Sequence, residues 1–231
     1  ENSNHKEMVI ESAKAGRHIL CEKPISTNVK DALEMIDVCK KQNVKFQISF
    51  PCRFSPAVLR AKENLESGKI GNVLAIKGTN RGKMPGGWFI EKKFSGGGAV
   101  MDHTVHLLDL MRWFLKKEVT KVYAEIDTSF HKIDIDDCGI LSMEFENGIF
   151  ATIDPSWSRP KNYPTWGDVT MDIIGEKGII SLVDLFAQKF TVYNENISWI
   201  NWGSDINFEL IKDFVDTILN DKEPKISGYD G

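Results

Sequence analysis

No apolar stretch in this 231-residue sequence approaches the roughly 20 residues that a bilayer-spanning helix needs. The opening ENSNHKEM has neither the basic start nor the apolar centre of a secretory signal. Both features point to a soluble, cytoplasmic protein with no membrane partner. Cysteine is scarce: Cys21, Cys39, Cys52 and Cys138 form no CxxC pair and no regular framework. That spacing argues against a disulfide scaffold and for reduced thiols that fill core space. Charge of one sign never accumulates in a long run. With 29 basic and 33 acidic residues the net charge is -4, which leaves no electrostatic footprint for nucleic acid or anionic lipid. A small soluble partner fits this composition better. A GxGxxG phosphate loop is also missing.

What is present supports a packed core, since 42% of the residues are hydrophobic and 10% aromatic. The first fifty residues read as helix, strand, helix, strand. Residues 5–14 carry apolar side chains at helical spacing and stop at Gly16, and HILCE (18–22) follows as a short buried strand. Residues 28–41 repeat the helical pattern, with Val29, Leu33, Ile36 and Cys39 or Lys40 marking one face, before KFQISF (45–50) supplies a second strand. Strands joined by crossover helices of this length pair in parallel.

The character changes after the helix that starts at Ser55 and runs to the turn at Gly68. Seven strand-like runs follow, VLAIKGT (73–79), KVYAEIDTSF (121–130), CGILSMEF (138–145), IFATIDPSW (149–157), VTMDIIG (169–175), IISLV (179–183) and KFTVYN (189–194). Short connections such as ENG and GEKG are hairpin signals and predict a mostly antiparallel open sheet. Two helices, over 99–115 and 207–220, should cover one face of it. The expectation is therefore α/β plus α+β, a partial Rossmann-like parallel sheet over 1–52 followed by a substrate-binding and oligomerisation part over 53–231. A parallel half-sheet that opens on a helix has no evident first strand, so the sequence reads as cut at its start.

The helix AVMDHTVHLLDLMRWFL is nonpolar on nearly every side and must be buried. Against that background Asp102, His106 and Asp109 fall at i, i+4 and i+7, a narrow polar stripe that must face something polar. A carboxylate one turn from an imidazole can orient it and hold it poised near neutral pH for acid–base work. A buried ion pair or a histidine satisfied inside the core is the competing account. Two ligands on one turn fall short of a catalytic zinc set, so no metal is expected. His103 points roughly 100° away from Asp102 and reads as a partly exposed neighbour.

Glu22-Lys23-Pro24 ends the first strand, on the edge where parallel sheets bind ligands. A lysine there can stabilise alkoxide character as a hydride leaves, or it can simply be a solvated strand end. Trp88, in PGGWF, can wall a sugar face or plug the core. Arg53 can meet an anionic cofactor group or form a surface salt bridge.

Taken together, AGRHILCEKP (15–24), CRFSP (52–56), SGKIGNV (67–73) and SGGGAVMDHTVHLLD (95–109) resemble motifs of the glucose-fructose oxidoreductase, inositol dehydrogenase and rhizopine-catabolism (Gfo/Idh/MocA) family of NAD(P)-dependent oxidoreductases, in the same order. The resemblance implies hydride transfer between NAD or NADP and a secondary hydroxyl of a sugar, polyol or cyclitol. It assigns Lys23, Asp102 and His106 to catalysis, Trp88 with the same three residues to the substrate, and Asn4, His5, Glu22, Lys23 and Arg53 to the cofactor. It also implies a cis Lys23-Pro24 bond, a homodimer or homotetramer built through the antiparallel sheet, and family segments, including the phosphate loop, that should precede Glu1. KISGYDG (225–231) resembles the stretch before the family's last helix. A non-catalytic sugar- or cofactor-sensing regulator and a redox-assisted glycoside hydrolase are the alternatives within the same fold.

Overall fold

The computed structural model describes residues 1–183 and 203–231 completely, together with the backbone of residues 188–193 and 197–202. α1 (His5–Lys14) stops where Gly16 adopts φ 69°, a left-handed conformation that glycine takes without a Cβ clash. β1 (Ile19–Cys21) and β2 (Phe46–Ile48) pair in parallel, Ile19 against Phe46 and Cys21 against Ile48. Between them runs α2 (Val29–Lys41), capped by Asn28, whose side chain accepts from the Asp31 amide at 3.0 Å.

The buried face of α2 matches the expected one only in part. Met35 and Cys39 are inside at 0% and 2% exposure, whereas Val29 and Leu33 are 75% and 57% exposed. Of the expected face, Ile36 and Cys39 pack inward while Val29 and Leu33 do not, because the packed stripe passes through Ala32, Met35, Ile36 and Cys39. Packing of the helix on the sheet sets this stripe.

α3 (Pro56–Glu66) leads to a six-stranded sheet in the order β4-β5-β6-β3-β7-β8. Its strands are β3 (Val73–Gly82), β4 (Val119–Asp127), β5 (Cys138–Phe145), β6 (Phe150–Ser156), β7 (Gly167–Gly175) and β8 (Gly178–Leu182). Neighbours are antiparallel except β3 and β6, which run parallel and place β3 centrally. β9 (Gln188–Tyr193) forms a separate antiparallel hairpin with β10 (Ile197–Trp202), a strand that the sequence reading passed over. Asn194, which ended the expected run, lies outside the described residues.

A one-turn helix, α4 (Lys92–Ser95), precedes the glycines that start α5 (Ala99–Leu115). Leu107, Leu110 and Met111 of α5 are fully buried against Ile76, Ile153 and Met171 of the sheet. Cross-strand register places Tyr123, Ile140, Phe150 and Ile179 on the opposite face, where each is half or more exposed. α6 (Ile206–Leu219) then carries the chain back to the first sheet. Leu210 and Ile226 join the core of β1 and β2, and the Ile48 amide donates to the Ile226 carbonyl at 3.0 Å. The tail thus packs with the first fifty residues, a return that local spacing in the sequence does not signal.

The loop before β5 fixes the start of α5. Asp136 accepts through Oδ1 from Gly98 N at 3.0 Å and through Oδ2 from Val100 N at 2.8 Å, and its carbonyl accepts from Ala99 N at 2.9 Å. Three amides at the helix start are satisfied in this way. The approach is close enough that a Cβ on Gly98 would lie 1.9 Å from the Asp136 carbonyl oxygen. Gly98→Ala is expected to cost about 1–3 kcal/mol, and to lower the thermal midpoint by roughly 2–4 °C for each kcal/mol. A melting curve that overlays wild type would show that this contact is not required.

Candidate active site

The parallel sheet delivers Lys23 at the carboxyl end of β1, and α5 delivers Asp102 and His106 one turn apart; all three line one cleft of about 500 Å³, a size suited to a small ligand. The Lys23-Pro24 peptide is cis, as the family resemblance implied. Lys23 Nζ donates to Asp102 Oδ1 at 2.6 Å and to the Asp102 carbonyl at 3.2 Å. An ammonium has three protons, so one remains for an oxygen bound in the cleft.

Asp102 is the hub of the site. Besides Lys23, its carboxylate meets His103 Nε2 at 3.3 Å and accepts from Trp157 Nε1 at 3.4 Å. Burial alone would raise this carboxyl; the His103 hydrogen bond and the Lys23 charge outweigh burial and hold it well below the usual carboxylate range. Among the described residues no hydrogen bond joins Asp102 to His106.

His106 has other neighbours. Its Nδ1 lies 3.9 Å from Cys52 Sγ, and the Phe50 ring meets it edge-on at 6.2 Å. Burial first, and the Lys23 ammonium second, push the imidazole down to about 3, with the Asp102 charge offsetting part of the shift. The expectation that Asp102 would poise His106 near neutrality is therefore overturned. Desolvation disfavours the cation, and the nearest carboxylate is already engaged by other donors.

His103 was expected to be partly exposed and is 4% exposed, lining the same cleft. Its Nδ1 donates to the Asn80 carbonyl at 2.9 Å while the Asn80 amide donates to the His103 carbonyl at 2.9 Å, a reciprocal pair that pins α5 to β3. The cleft wraps around the first turn of α5, so residues 100° apart both face it. Phe89, Thr165, Trp166 and Asp168 complete the rim, with Asp168 held by Arg159 at 2.6 Å. No local motif marks these rim residues, because they come from loops and strand ends far apart in sequence.

The other expected site residues divide. His5 donates from Nδ1 to the Pro24 carbonyl at 3.0 Å, directly behind Lys23. Glu22 accepts from Ser49 Oγ at 3.1 Å beside it. Asn4 is exposed, with its amide on the Glu1 carboxylate at 3.1 Å, and is not part of the cleft lining. Trp88 stacks on Phe89 at 3.9 Å, and it is Phe89 that enters the cleft wall. Arg53 is not a surface residue and does not line the cleft of Lys23, Asp102 and His106. It is 6% exposed, donating to Asp109 at 2.5 and 2.8 Å, to the Lys225 carbonyl at 3.0 Å and to Asp230 at 3.1 Å.

The fit of a nicotinamide cofactor can be judged from these positions. His5, Glu22 and Lys23 cluster at the carboxyl end of β1, where a dinucleotide presents its nicotinamide in parallel sheets, and Lys23 keeps a donor for the reacting oxygen. The residues present fit that end of the cofactor.

Comparison with known proteins agrees. Residues 58–181 match the GFO/IDH/MocA C-terminal domain, and residues 1–50 match the oxidoreductase family with an NAD-binding Rossmann fold. The chain is 28% identical to a myo-inositol 2-dehydrogenase of Thermotoga maritima, covering 99% of this chain and 70% of that protein. It is 28% identical to a scyllo-inositol 2-dehydrogenase (NAD(+)) of Bacillus subtilis, covering 92% of this chain and 59% of the relative. The solved apo scyllo-inositol dehydrogenase of Lactobacillus casei superposes with a TM-score of 0.82 at 25% identity, over 100% of this chain and 70% of that one.

The buried position of Arg53 makes a stability prediction. Arg53→Met leaves the Asp109 carboxylate, 2% exposed, without its partner. Removing one member of a buried pair costs about 3–5 kcal/mol, whereas Arg53→Met combined with Asp109→Leu should recover most of it. Denaturant unfolding of the three variants measures this, and equal losses in the single and double variants would contradict it.

Proposed function

The chain belongs to the GFO/IDH/MocA family of NAD-binding oxidoreductases, and we propose that it transfers a hydride between nicotinamide and a secondary hydroxyl of a neutral sugar, polyol or cyclitol. The observation that carries this reading is Lys23 Nζ at 2.6 Å from Asp102 in the cleft that His106 also lines. The inositol dehydrogenases among its relatives support the substrate class. Of the carboxylates facing the cleft, Asp102 is paired with Lys23 and Asp168 with Arg159, so the described lining presents balanced charge and suits a neutral hydroxylated substrate.

The nicotinamide accepts or supplies the hydride when bound. The residues of this chain handle the proton and the oxygen. Lys23 holds the substrate oxygen with its remaining N–H and stabilises the negative charge that grows on it. Asp102 fixes the ammonium in place through two contacts. His106 takes the hydroxyl proton. Its depressed pKa keeps the imidazole unprotonated near neutral pH but also weakens it as a base, so stabilisation of the developing alkoxide by Lys23 carries most of the driving force. His5 and Glu22 sit where the nicotinamide end of either NAD or NADP would lie.

We also propose that copies of the chain associate through the outer face of the six-stranded sheet. Tyr123, Ile140, Phe150 and Ile179 form exposed apolar positions there, at 63%, 50%, 59% and 64%. Phe150→Glu should shift the mass measured by light scattering toward a single chain, and an unchanged mass would remove this face from consideration.

The hydride-transfer reading is tested by following nicotinamide reduction by the native full-length protein across a panel of inositols, aldoses and sugar acids. Lys23→Met and His106→Ala should each lower kcat/KM by roughly 100-fold or more. Turnover unchanged in both would remove these residues from the chemistry. The pH profile adds a separate check. A histidine with an ordinary pKa near 6.5 loses its lone pair as pH falls through that value, whereas a group lowered to about 3 stays competent. In the oxidising direction kcat/KM should therefore show no acid limb from His106 between pH 8 and about 5. A limb near pH 6.5 that disappears in His106→Gln would refute the low-pKa account.

A further inference from the structure

Cys52 is completely buried on the 3-10 turn Pro51–Phe54, and it plays no part in the chemistry described above. Its sulfur lies 3.9 Å from His106 Nδ1, within reach of a sulfur hydrogen bond. Phe50, two residues earlier, holds the same ring edge-on, so one short segment of the domain junction packs against the imidazole on two sides. The cleft is open to the rest of the ring, and no described residue hydrogen-bonds Nε2.

We propose that Cys52 is a positioning residue for His106, its sulfur accepting the hydrogen bond from Nδ1–H and so leaving the Nε2 lone pair directed into the cleft. The proposal rests on the reading of His106 as the proton acceptor. A neutral imidazole carries one proton, and the partner of one nitrogen decides where it resides. Asp102, the usual kind of partner for such a ring, is spent on Lys23, His103 and Trp157. The thiol takes its place. Burial pushes the Cys52 thiol up to about 12, so the group stays uncharged and supplies a sulfur lone pair and not a thiolate. Proton transfer from the substrate hydroxyl to Nε2 then gives an imidazolium whose Nδ1–H remains on the sulfur. A sulfur stabilises that cation less than a carboxylate would.

Nitrogen-15 NMR of the His106 ring reads the tautomer directly, in the native full-length protein without substrate. Wild type should show the proton on Nδ1. Cys52→Ser, which keeps an acceptor of similar size, should retain it, while Cys52→Ala should move the proton wholly or partly to Nε2. In turnover, kcat of Cys52→Ala should fall about tenfold with KM nearly unchanged, a fraction of the roughly 100- to 10,000-fold that a positioned base contributes, and Cys52→Ser should restore most of it. A wild-type ring protonated on Nε2, or a tautomer identical in wild type and Cys52→Ala, overturns the assignment. Absence of hydride transfer with every polyol would instead sink the functional reading, with the ring spectrum still deciding this one.

Discussion

The ion pair between Lys23 and Asp102, 2.6 Å long and spanning 79 positions of sequence, is the joint on which the cleft depends. It ties the carboxyl end of the parallel sheet to the first turn of α5, and so couples the two elements that line the cleft. Both side chains are largely withdrawn from water, at 18% and 13% exposure. The attraction is consequently less screened than in a surface pair, and loss of either member leaves a charge with poor compensation. Everything else at the start of α5 holds Asp102 in the right place for this contact. Asp136 anchors the helix end, and the reciprocal bonds between Asn80 and His103 fix its rotation on the sheet.

Placing an ammonium and an indole N–H on Asp102, with the His103 ring alongside, has an electrostatic consequence for its neighbour. A carboxylate already meeting an ammonium, an imidazole and an indole N–H has little potential left to offer His106, one turn further along. Burial and the Lys23 charge then dominate that ring. The same arrangement that holds Lys23 in place leaves the His106 ring neutral. The separation of two ionisable environments within one turn of helix follows from which groups are hydrogen-bonded and which are merely close.

The residues at the centre of the site were legible in the sequence, and those at its rim were not, for a physical reason. Lys23 follows a strand and precedes a proline, and Asp102 with His106 interrupts a helix that is otherwise apolar; each stands out against a local pattern. The six-stranded sheet was legible for the same reason, since strict alternation in runs such as CGILSMEF sets burial of Leu141, Met143 and Phe145. His103, Asn80 and Trp166 carry no comparable local mark, because their role depends on β3, α5 and β7 converging. Arg53 shows the converse error. It lies in a motif near the cofactor domain, yet its partner Asp109 sits 56 positions away, and that pairing turns it inward. Val29 and Leu33 illustrate a third limit: Ile36 and Cys39 of the same expected face pack inward, and tertiary packing rotates the buried stripe toward Ala32 and Met35, leaving Val29 and Leu33 exposed.

The division between centre and rim also bears on how one cleft can serve a chemistry common to many hydroxylated substrates. The proton and oxygen contacts come from regular elements, β1 and α5, each held by buried hydrogen bonds. Phe89, Thr165 and Trp166 come from the connections around them, and Trp166 is 55% exposed. Regular elements fix a reacting hydroxyl to within tenths of an ångström, while loop side chains tolerate substitution without disturbing the core. On the proposed reading, aromatic faces at the rim would cover the apolar C–H surface of a ring, and Asp168, restrained by Arg159 at 2.6 Å, would accept from hydroxyls at its edge. Substrate choice would then, on the same reading, rest on groups that can change independently of Lys23, Asp102 and His106. A chain of this architecture can retain its reaction and alter its substrate through the rim alone.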